Sequence, residues 1–592
     1  MNREIVIKVC TGTSGIASGG HEVLTAFKSL MATAGVAATI GERCTVHQSG
    51  CRGLCKKDVL VDIVLDGEKS TYIQVKPEMA GKIIEEHIIR GNPVVEWLAG
   101  SEYHDFHVKQ TKVVLALCGE IDPEDIHAYR AVRGYEASQK AVLSMTPEDI
   151  IAAVRNSNLR GRGGGGFPTG LKWELCSRYA ADRKYVVCNG NESDPGAFMD
   201  TSLMEGNPHA VIEGMIICAK AIGAHHGVIY TKSEYSLSVK RLQRAIGQCY
   251  EMGYLGKGIF GSNFDFDLRL FQGPGAFVCG EATALMRSIE GKRGMPHPRM
   301  WRTAEKGLWD KPTVLNNVET FANVPKIILN GAPWFRNLGT ERSGGTKVFS
   351  LSGAVKNTGL IEVPMGTSLR EIIFEIGGGI EEGRAFKGVH IGGPTGGCIP
   401  TALLDTEVDY ESLAQAGAMM GSGGMVVLDD STCIVNTVKY FIDVTQSESC
   451  GKCPPCRIGT KRMLEILERI SSGTGKSGDL ELLEELGHHI RSTSLCGLGM
   501  TAPNPVLSTL RYFRNEYEEH LQNRKCPARV CKALITYAIV SDTCTGCGAC
   551  KRACPADAIR GIKKKPHRIN HEKCIKCGTC FDVCKFKAIA KM

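Results

Sequence analysis

No stretch of eighteen consecutive apolar residues occurs in the 592-residue chain, so no segment has the length and apolarity of a bilayer-crossing helix. The opening residues MNREIVIKVCTG lack the charged-then-apolar order of an export signal, and a cytoplasmic location is the expectation. Acid is scarce where base is dense. In VCGEATALMRSIEGKRGMPHPRMWRTA, residues 278–304, Arg287, Lys292, Arg293, Arg299 and Arg302 are accompanied only by Glu281 and Glu290. Such a stretch is suited to an anion. Cysteine is sparse only in the middle: it is dense between residues 10 and 55 and between 433 and 584.

The chain holds 26 cysteines. A reducing compartment does not keep a disulfide framework, so they point to metal or redox chemistry, placed towards the two flanks. A chain of this length predicts about three to five domains, and the class is multi-domain α/β. Residues 1–100 read as a small α/β module, with strands at EIVIKVC and VLVDIV around a helical 21–35. A linker follows near 100–125. From 126 to 345, strands such as KYVVCNG and GVIYTKS alternate with helical segments, as in a doubly wound domain. Residues 346–440 are strand-rich with a short helix at SLREIIFEIG. Residues 441–525 are helical, and 536–592 form a short cysteine-dense tail.

The tail carries the most specific signal. Cys544, Cys547, Cys550 and Cys554, followed by Pro555, match CxxCxxCxxxCP, and Cys574, Cys577, Cys580 and Cys584 repeat the spacing. In this two-cluster ferredoxin pattern the fourth cysteine of each motif serves the other cluster. Cys544, Cys547, Cys550 and Cys584 are therefore expected on one [4Fe–4S] cubane, and Cys574, Cys577, Cys580 and Cys554 on the other. A third cubane is expected on Cys450, Cys453 and Cys456 of SESCGKCPPCRIGT with Cys496 of TSLCGLG; zinc is the alternative on spacing alone. The formal charge of +8 is nearly neutralised once three anionic cubanes are loaded. That favours electron traffic over nucleic-acid binding. IKKKPHRI, residues 562–569, reads equally as a dock for an acidic redox partner and as a solvated surface.

NLRGRGGGGFPTGLKW, residues 158–173, has four consecutive glycines leading into a helical segment. Backbone N–H groups there approach a ligand without a Cβ in the way, and the helix N-terminus attracts phosphate. KYVVCNGNESDPG (184–196), VCGEATAL (278–285) and KPTVLNNVET (311–320) accompany it. With these motifs the chain resembles the NADH-oxidising flavoprotein subunit of respiratory complex I. It resembles more closely the diaphorase subunit of electron-bifurcating [FeFe]-hydrogenases, which carries a cluster domain in front and a two-cluster ferredoxin behind.

The resemblance spans almost the whole chain. It implies a thioredoxin-like domain, a Rossmann-like FMN domain, a β-grasp insert, a four-helix iron–sulfur domain and a ferredoxin domain. It implies FMN contacts at Gly161, Gly163, Lys172, Asn189, Asn191, Glu192, Gly280, Glu281, Asn316, Asn317 and Thr320. Gly164, Phe167 and Asp194 fall at the nicotinamide nucleotide, with Ala282, Arg299 and Arg302 towards its adenosine end. Asn191 stands where relatives carry aspartate, which keeps hydrogen bonds and removes a charge.

Relatives that use NADH read CGEETAL, their second glutamate accepting the ribose hydroxyl, where this chain has Ala282. Arg302 replaces their phenylalanine beside the adenine. One anion lost and one guanidinium gained favour the 2′-phosphate of NADP(H); NADH use is the alternative. At the N-terminus the implied [2Fe–2S] motif is incomplete. Cys10, Cys51 and Cys55 match, Gly15 stands at the second-cysteine position, and Cys44 is a spare thiol, so a retained cluster and a purely structural domain both stand. Cys526 and Cys531 in KCPARVC offer either a zinc pair with unnamed further ligands or two buried thiols.

The expected function is an enzyme subunit that exchanges hydride between NADP(H) and FMN and relays single electrons through cubanes. The resemblance implies a hetero-oligomer whose partners are a hydrogenase or formate dehydrogenase catalytic subunit, a small [2Fe–2S] subunit and ferredoxin, with neither nucleic acid nor membrane. A transhydrogenase and a non-catalytic wiring scaffold are the competing readings.

Overall fold

The computed structural model describes residues 4–33, 36, 44–298 and 300–592. It divides into two compact units, one of residues 1–383, 389–396 and 402–427, the other of 384–388, 397–401 and 428–592.

The first unit opens with a four-stranded sheet of order β2-β1-β3-β4, formed by β1 (Ile5–Cys10), β2 (Cys44–Ser49), β3 (Val61–Leu65) and β4 (Glu68–Tyr72). β1 and β2 run parallel, whereas β3 is antiparallel to β1 and β4 to β3. A two-residue turn joins β3 to β4. Its Asp66 and Gly67 both have positive φ, as a hairpin turn of matching twist requires. Alternate residues of β1 and β3, Ile5, Ile7, Val9, Val61 and Ile63, pack on Val23, Leu24 and Phe27 of the helix Gly20–Met31.

A fully parallel sheet follows, of order β7-β6-β5-β8, with β5 Tyr185–Gly190, β6 His226–Lys232, β7 Asp267–Gly273 and β8 Thr313–Asn317. β5 and β6 are buried along nearly their whole length, as strands covered on both faces are. The helix Pro208–Ile222 is apolar on almost every face and correspondingly buried. It approaches the helix Val318–Asn330 so closely that a Cβ on Gly214 would lie 2.1 Å from the Phe321 carbonyl oxygen. The chain steps from β5 outward to β6 and β7, then returns to β5's other side with β8. The order therefore reverses at β5/β8, and a ligand crevice is expected beyond the carboxyl ends of those two strands.

In the insert, β9 (Thr346–Gly353) and β10 (Gly359–Pro364) form an antiparallel hairpin, and residues 424–427 lie parallel to β9. Glu362 of β10 is buried and accepts the Val114 and Leu115 N–H groups at 3.1 and 2.9 Å, which ties down the segment preceding the parallel sheet.

The second unit contains the helices Ile434–Ser447, Thr460–Ser471, Asp479–Thr493 and Asn504–Leu521. The first begins ahead of the expected boundary at 441. The β-branched run IVNTV reads as strand, but the Cys433 sulfur caps the helix by accepting the Asn436 N–H. The tail folds into two small antiparallel ladders, Tyr537–Ile539 with Ile589–Lys591 and Ile559–Arg560 with Arg568–Ile569, around a core that includes Cys550 and Cys580. Among the described residues no helix is long and apolar enough to cross a membrane.

Candidate functional site

The glycine-rich loop and the ends of β5 and β8 meet where the strand order reverses. The loop is anchored by Arg162, a fully buried guanidinium that donates to the Thr346 and Gly344 carbonyls at 3.0 and 2.6 Å; its own N–H donates to Thr320 Oγ1 at 2.9 Å. The four glycines do different work. A Cβ on Gly163 would sit 2.9 Å from Asn317 Cβ, and Gly166, at φ +59°, faces the Tyr410 ring. Gly164 has φ +117° and backs onto Gly421, so its glycine is required by the chain's own backbone. Gly165 alone of the four has nothing within 4 Å of a Cβ. Beyond the loop, the Lys172 ammonium donates to the Leu315 carbonyl at 2.8 Å and lies 5.9 Å from the ring of Phe167, which is 43% exposed.

Asn189 on β5 pairs in register with Asn317 on β8. Asn189 donates to the Gly280 carbonyl at 2.9 Å and accepts the Asn191 N–H at 3.0 Å. Asn191 donates to the Ala276 carbonyl at 3.1 Å, while its Oδ1 is buried without a partner. Asn316 accepts the Trp173 indole N–H at 3.1 Å and leaves its Nδ2 buried and unmatched. A donor and an acceptor left orphaned at the mouth of a parallel sheet are costly unless a polar ligand satisfies them. The open face at Gly165 and these two amides suit the polar edge and phosphate-bearing chain of a flavin mononucleotide.

Glu192, Glu281, Asn317 and Thr320 are placed beside these groups, and their side chains also organise backbone. Glu192 accepts the Asp200 and Thr201 N–H groups at 3.2 and 3.0 Å. Glu281 caps the helix Ala282–Ile289 through the N–H groups of Thr283 and Ala284, at 2.8 and 3.0 Å. Asn317 caps Val318–Asn330 and donates to Asp200 at 2.5 Å.

Asp194 is half-buried against the insert. One oxygen accepts the Ser422 hydroxyl, the other has no partner among the described residues, and a Cβ on Gly393 would fall 2.5 Å from its carboxyl carbon. Ser422, Gly393 and Gly421 were missed in the sequence, although the glycine clusters GGPTGG and GSGG were their visible signal. Burial pushes the Asp194 carboxyl up to about 6; the Ser422 bond opposes this and the Glu192 charge adds to it. Because its folded value exceeds the ordinary 3.8, Asp194 favours the fold most at low pH, and that contribution is lost as pH rises through about 6. Dye reduction by NAD(P)H is expected to inflect near pH 6. Ser422→Ala should move the inflection upward, and Asp194→Asn should abolish it. An unchanged profile in Asp194→Asn would assign the inflection elsewhere.

The basic stretch is only partly gathered. The His297 N–H donates to Thr283 Oγ1 at 3.2 Å, which brings residue 297 beside the start of the helix Ala282–Ile289. The first free N–H groups of that helix are already taken by Glu281, so a phosphate there needs a side-chain cation. Lys292 pairs with Glu290 at 2.8 Å, and the Arg287 side chain reaches the Arg293 carbonyl at 3.4 Å. Arg302 is exposed, with its carbonyl fixed by the Glu305 and Lys306 N–H groups at 2.9 Å. Arg299 lies outside the described residues.

In the second unit, two cavities in the tail are lined by complementary cysteine sets. Cys544, Cys547, Cys550 and Cys584 face one, and Cys554, Cys574, Cys577 and Cys580 the other. This is the crossed arrangement of a two-cluster ferredoxin. In the helical domain Cys456 lies 3.2 Å from Ser449 Oγ; burial, with the nearby thiols of Cys453, Cys496 and Cys450, pushes it up to about 11.

A fourth set is much tighter. Cys433, His520, Cys526 and Cys531 are all buried, with ligand atoms within 4.8 Å of one another. Cys433 Sγ is 3.4 Å from His520 Nε2 and 3.7 Å from Cys531 Sγ, and Cys531 Sγ is 3.4 Å from the same nitrogen. These separations match the edges of a tetrahedron around one ion bound at about 2.0–2.3 Å. His520 Nδ1 faces the Glu516 carbonyl at 2.6 Å, which leaves Nε2 free to ligate. The residues suit zinc. Sequence reasoning had Cys526 and Cys531 but not Cys433, which is separated from His520 by 87 residues.

Cys44 is not near the other N-terminal thiols. It pairs with Ile5 at one end of β1, whereas Cys10 at the other end pairs with Ser49. Five residues of strand separate them, about 16 Å.

Residues 154–326 match the Nuo51 FMN-binding domain, 348–398 the SLBB domain, 436–520 the NADH-ubiquinone oxidoreductase-F iron-sulfur binding region and 536–585 the 4Fe-4S dicluster domain. The chain is 56% identical over 483 residues to the NADP-reducing hydrogenase subunit HndC of Solidesulfovibrio fructosivorans, spanning 82% of this chain and 98% of that one. It is 45% identical over 414 residues to an NADH-quinone oxidoreductase subunit of Rhizobium meliloti, spanning 69% and 98%. An NAD+-reducing [NiFe]-hydrogenase structure in the H2-reduced state aligns with a TM-score of 0.61 and 29% identity, over 88% of this chain and 84% of that one.

Proposed function

The chain belongs to the family of FMN and iron–sulfur subunits of NAD(P)H oxidoreductases, and on that premise we propose that its coenzyme is NADP(H). A bound FMN supplies the conversion between two-electron hydride chemistry and one-electron iron–sulfur chemistry. Gly161, Gly163, Asn189, Asn191, Asn316 and Asn317 would hold it, with Lys172, Glu192, Gly280, Glu281 and Thr320 shaping the same wall. Phe167 and Asp194 orient the nicotinamide, and Gly164 lets the loop approach it. Cys450, Cys453, Cys456 and Cys496 and the two tail cysteine sets would hold three [4Fe–4S] cubanes for one-electron relay, and Cys433, His520, Cys526 and Cys531 would hold a zinc ion.

The observation that carries the coenzyme reading is the exposed Arg302 together with Ala282 at the first position of the helix behind Glu281. Ala282 removes the carboxylate that would repel a 2′-phosphate, and the Arg302 guanidinium is available to grip it. The NADP-reducing hydrogenase relative supports this reading; the NADH-quinone oxidoreductase relatives favour NADH as the second. The partners we infer are a hydrogenase or formate dehydrogenase catalytic subunit, a small [2Fe–2S] subunit and ferredoxin, in a bifurcating assembly in the cytoplasm.

Arg302→Ala is expected to lower kcat/KM for NADPH while barely changing NADH, because only NADPH carries the extra charge. One charge-assisted contact of about 1.5–3 kcal/mol corresponds to a loss of roughly ten- to a hundred-fold. Ala282→Glu should act in the same direction and, combined with it, turn the preference to NADH. If both variants slow the two coenzymes equally, the NADP(H) reading fails.

A further inference from the structure

The N-terminal sheet holds a second compact cluster of metal-ligating groups. Cys51 Sγ, Cys55 Sγ and a carboxylate oxygen of Asp58 all lie within 4.8 Å of one another, the two sulfurs 3.6 Å apart. Cys10, at the end of β1, neighbours Cys51 and Asp58 but lies outside this mutual set. Asp58 is buried, and neither of its oxygens reaches a partner at hydrogen-bond geometry among the described residues. Ser14, Cys10 and the Leu60 N–H lie around this carboxylate and oppose the upward push of burial; a cation among the thiols would favour its charged form further.

The residues present do not fit a four-thiolate [2Fe–2S] cluster. Cys44 is at the far end of the strand. Gly15 cannot be replaced by a thiol in place, since a Cβ there would lie 2.5 Å from the Cys10 carbonyl oxygen and 2.9 Å from its Sγ. A rhomb also sets a second iron and two sulfides between its two ligand pairs, so ligands on opposite irons stand further apart than ligands on one ion. The Asp58 oxygen is close to both Cys51 and Cys55. A single tetrahedral ion with bonds of about 2.0–2.3 Å has edges of about 3.3–3.8 Å, which the 3.6 Å sulfur separation matches.

We propose that Cys51, Cys55 and Asp58 bind one zinc ion in place of an electron-carrying cluster, with Cys10 beside Cys51. The Gly53 N–H, donating to Cys51 Sγ at 3.3 Å, supports the thiolate. The ion would fix the 51–58 segment beside the 10–13 segment, and both grip the flavoprotein fold. Thr13 donates to Glu205 through its N–H and hydroxyl at 3.0 and 2.7 Å, and the buried Arg241 reaches the Thr11 carbonyl and hydroxyl at 3.0 and 2.8 Å. A Cβ on Gly50 would lie 2.5 Å from Gly206 Cα. Zinc has no accessible redox change, so this module is a clamp and offers no electron exit.

Zinc, iron and acid-labile sulfide counted per chain in the anaerobically purified full-length protein test this. Cys51→Ser and Asp58→Ala are each expected to lose one zinc and no iron or sulfide, and Cys44→Ser to lose nothing. Growth with Co2+ in place of zinc should give thiolate-to-cobalt absorption that falls in Cys51→Ser. Loss of two irons and two sulfides in Cys51→Ser would establish a rhomb and overturn the proposal, as would unchanged zinc in both variants or zinc loss in Cys44→Ser. FMN content reports whether the unit still folds; should Cys51→Ser lose its FMN, the isosteric Asp58→Asn decides by the same counts.

Discussion

Cys433→Ser is expected to release one zinc ion per chain and to lower the stability of the second unit by several kcal/mol. Cys433 opens one helix and His520 closes another, while Cys526 and Cys531 lie in the irregular segment that follows. Joined through an ion, these four groups would fix the segment that follows the last helix. Structural zinc contributes about 10–16 kcal/mol in small zinc-folded peptides; here the helices bury Met463, Leu467, Leu483 and Leu510 regardless, so the loss is a fraction of that. Thermal unfolding with metal analysis measures both effects. A chelator should reproduce the shift in the parent chain and add nothing in the variant. Unchanged zinc and an unchanged midpoint would remove the ion from this site.

Lys347→Met is expected to destabilise the first unit by about 3–5 kcal/mol, because it leaves a carboxylate buried without its cation. Lys347 and Glu319 are both essentially inaccessible and paired, and Glu319 also accepts the Val348 N–H at 2.9 Å. The effect reaches further. The Lys347 charge is felt by Glu192 and by Asp200, whose carboxyl is raised well above the usual range by burial and then by Glu192 and Glu319. Asp200 in turn accepts from Asn317, so FMN retention should fall with stability. Adding Glu319→Leu should restore most of the stability. Denaturant unfolding of the single and double variants measures this; equal instability in both would place the cost in packing.

Motifs whose ligands are neighbours along the chain are legible from spacing alone. The ferredoxin cysteines repeat at fixed intervals, and their crossed sharing follows from cluster chemistry. The parallel sheet was legible from strands separated by helical segments. Groups brought together over long distances were not. Cys433 and His520 gave no local signal. Ser422 reaches Asp194 from the insert, 228 residues away. Cys44 was legible as a thiol but not as the wrong end of a strand, because strand register depends on a partner the sequence does not name. The glycine run was read as ligand approach throughout, yet Gly163 and Gly166 are set by Asn317 and Tyr410.

Asn317 begins a helix, supports Asp200 and leaves no room for a side chain on Gly163. Removing its amide by Asn317→Ala would lose the helix cap and the Asp200 contact together. Ala282 and Arg302 carry no comparable load in the described contacts, and Arg302 is at the surface. On the proposed coenzyme reading, preference can therefore drift at the rim while the inner wall stays fixed, and inherited variation should concentrate there at little risk to folding.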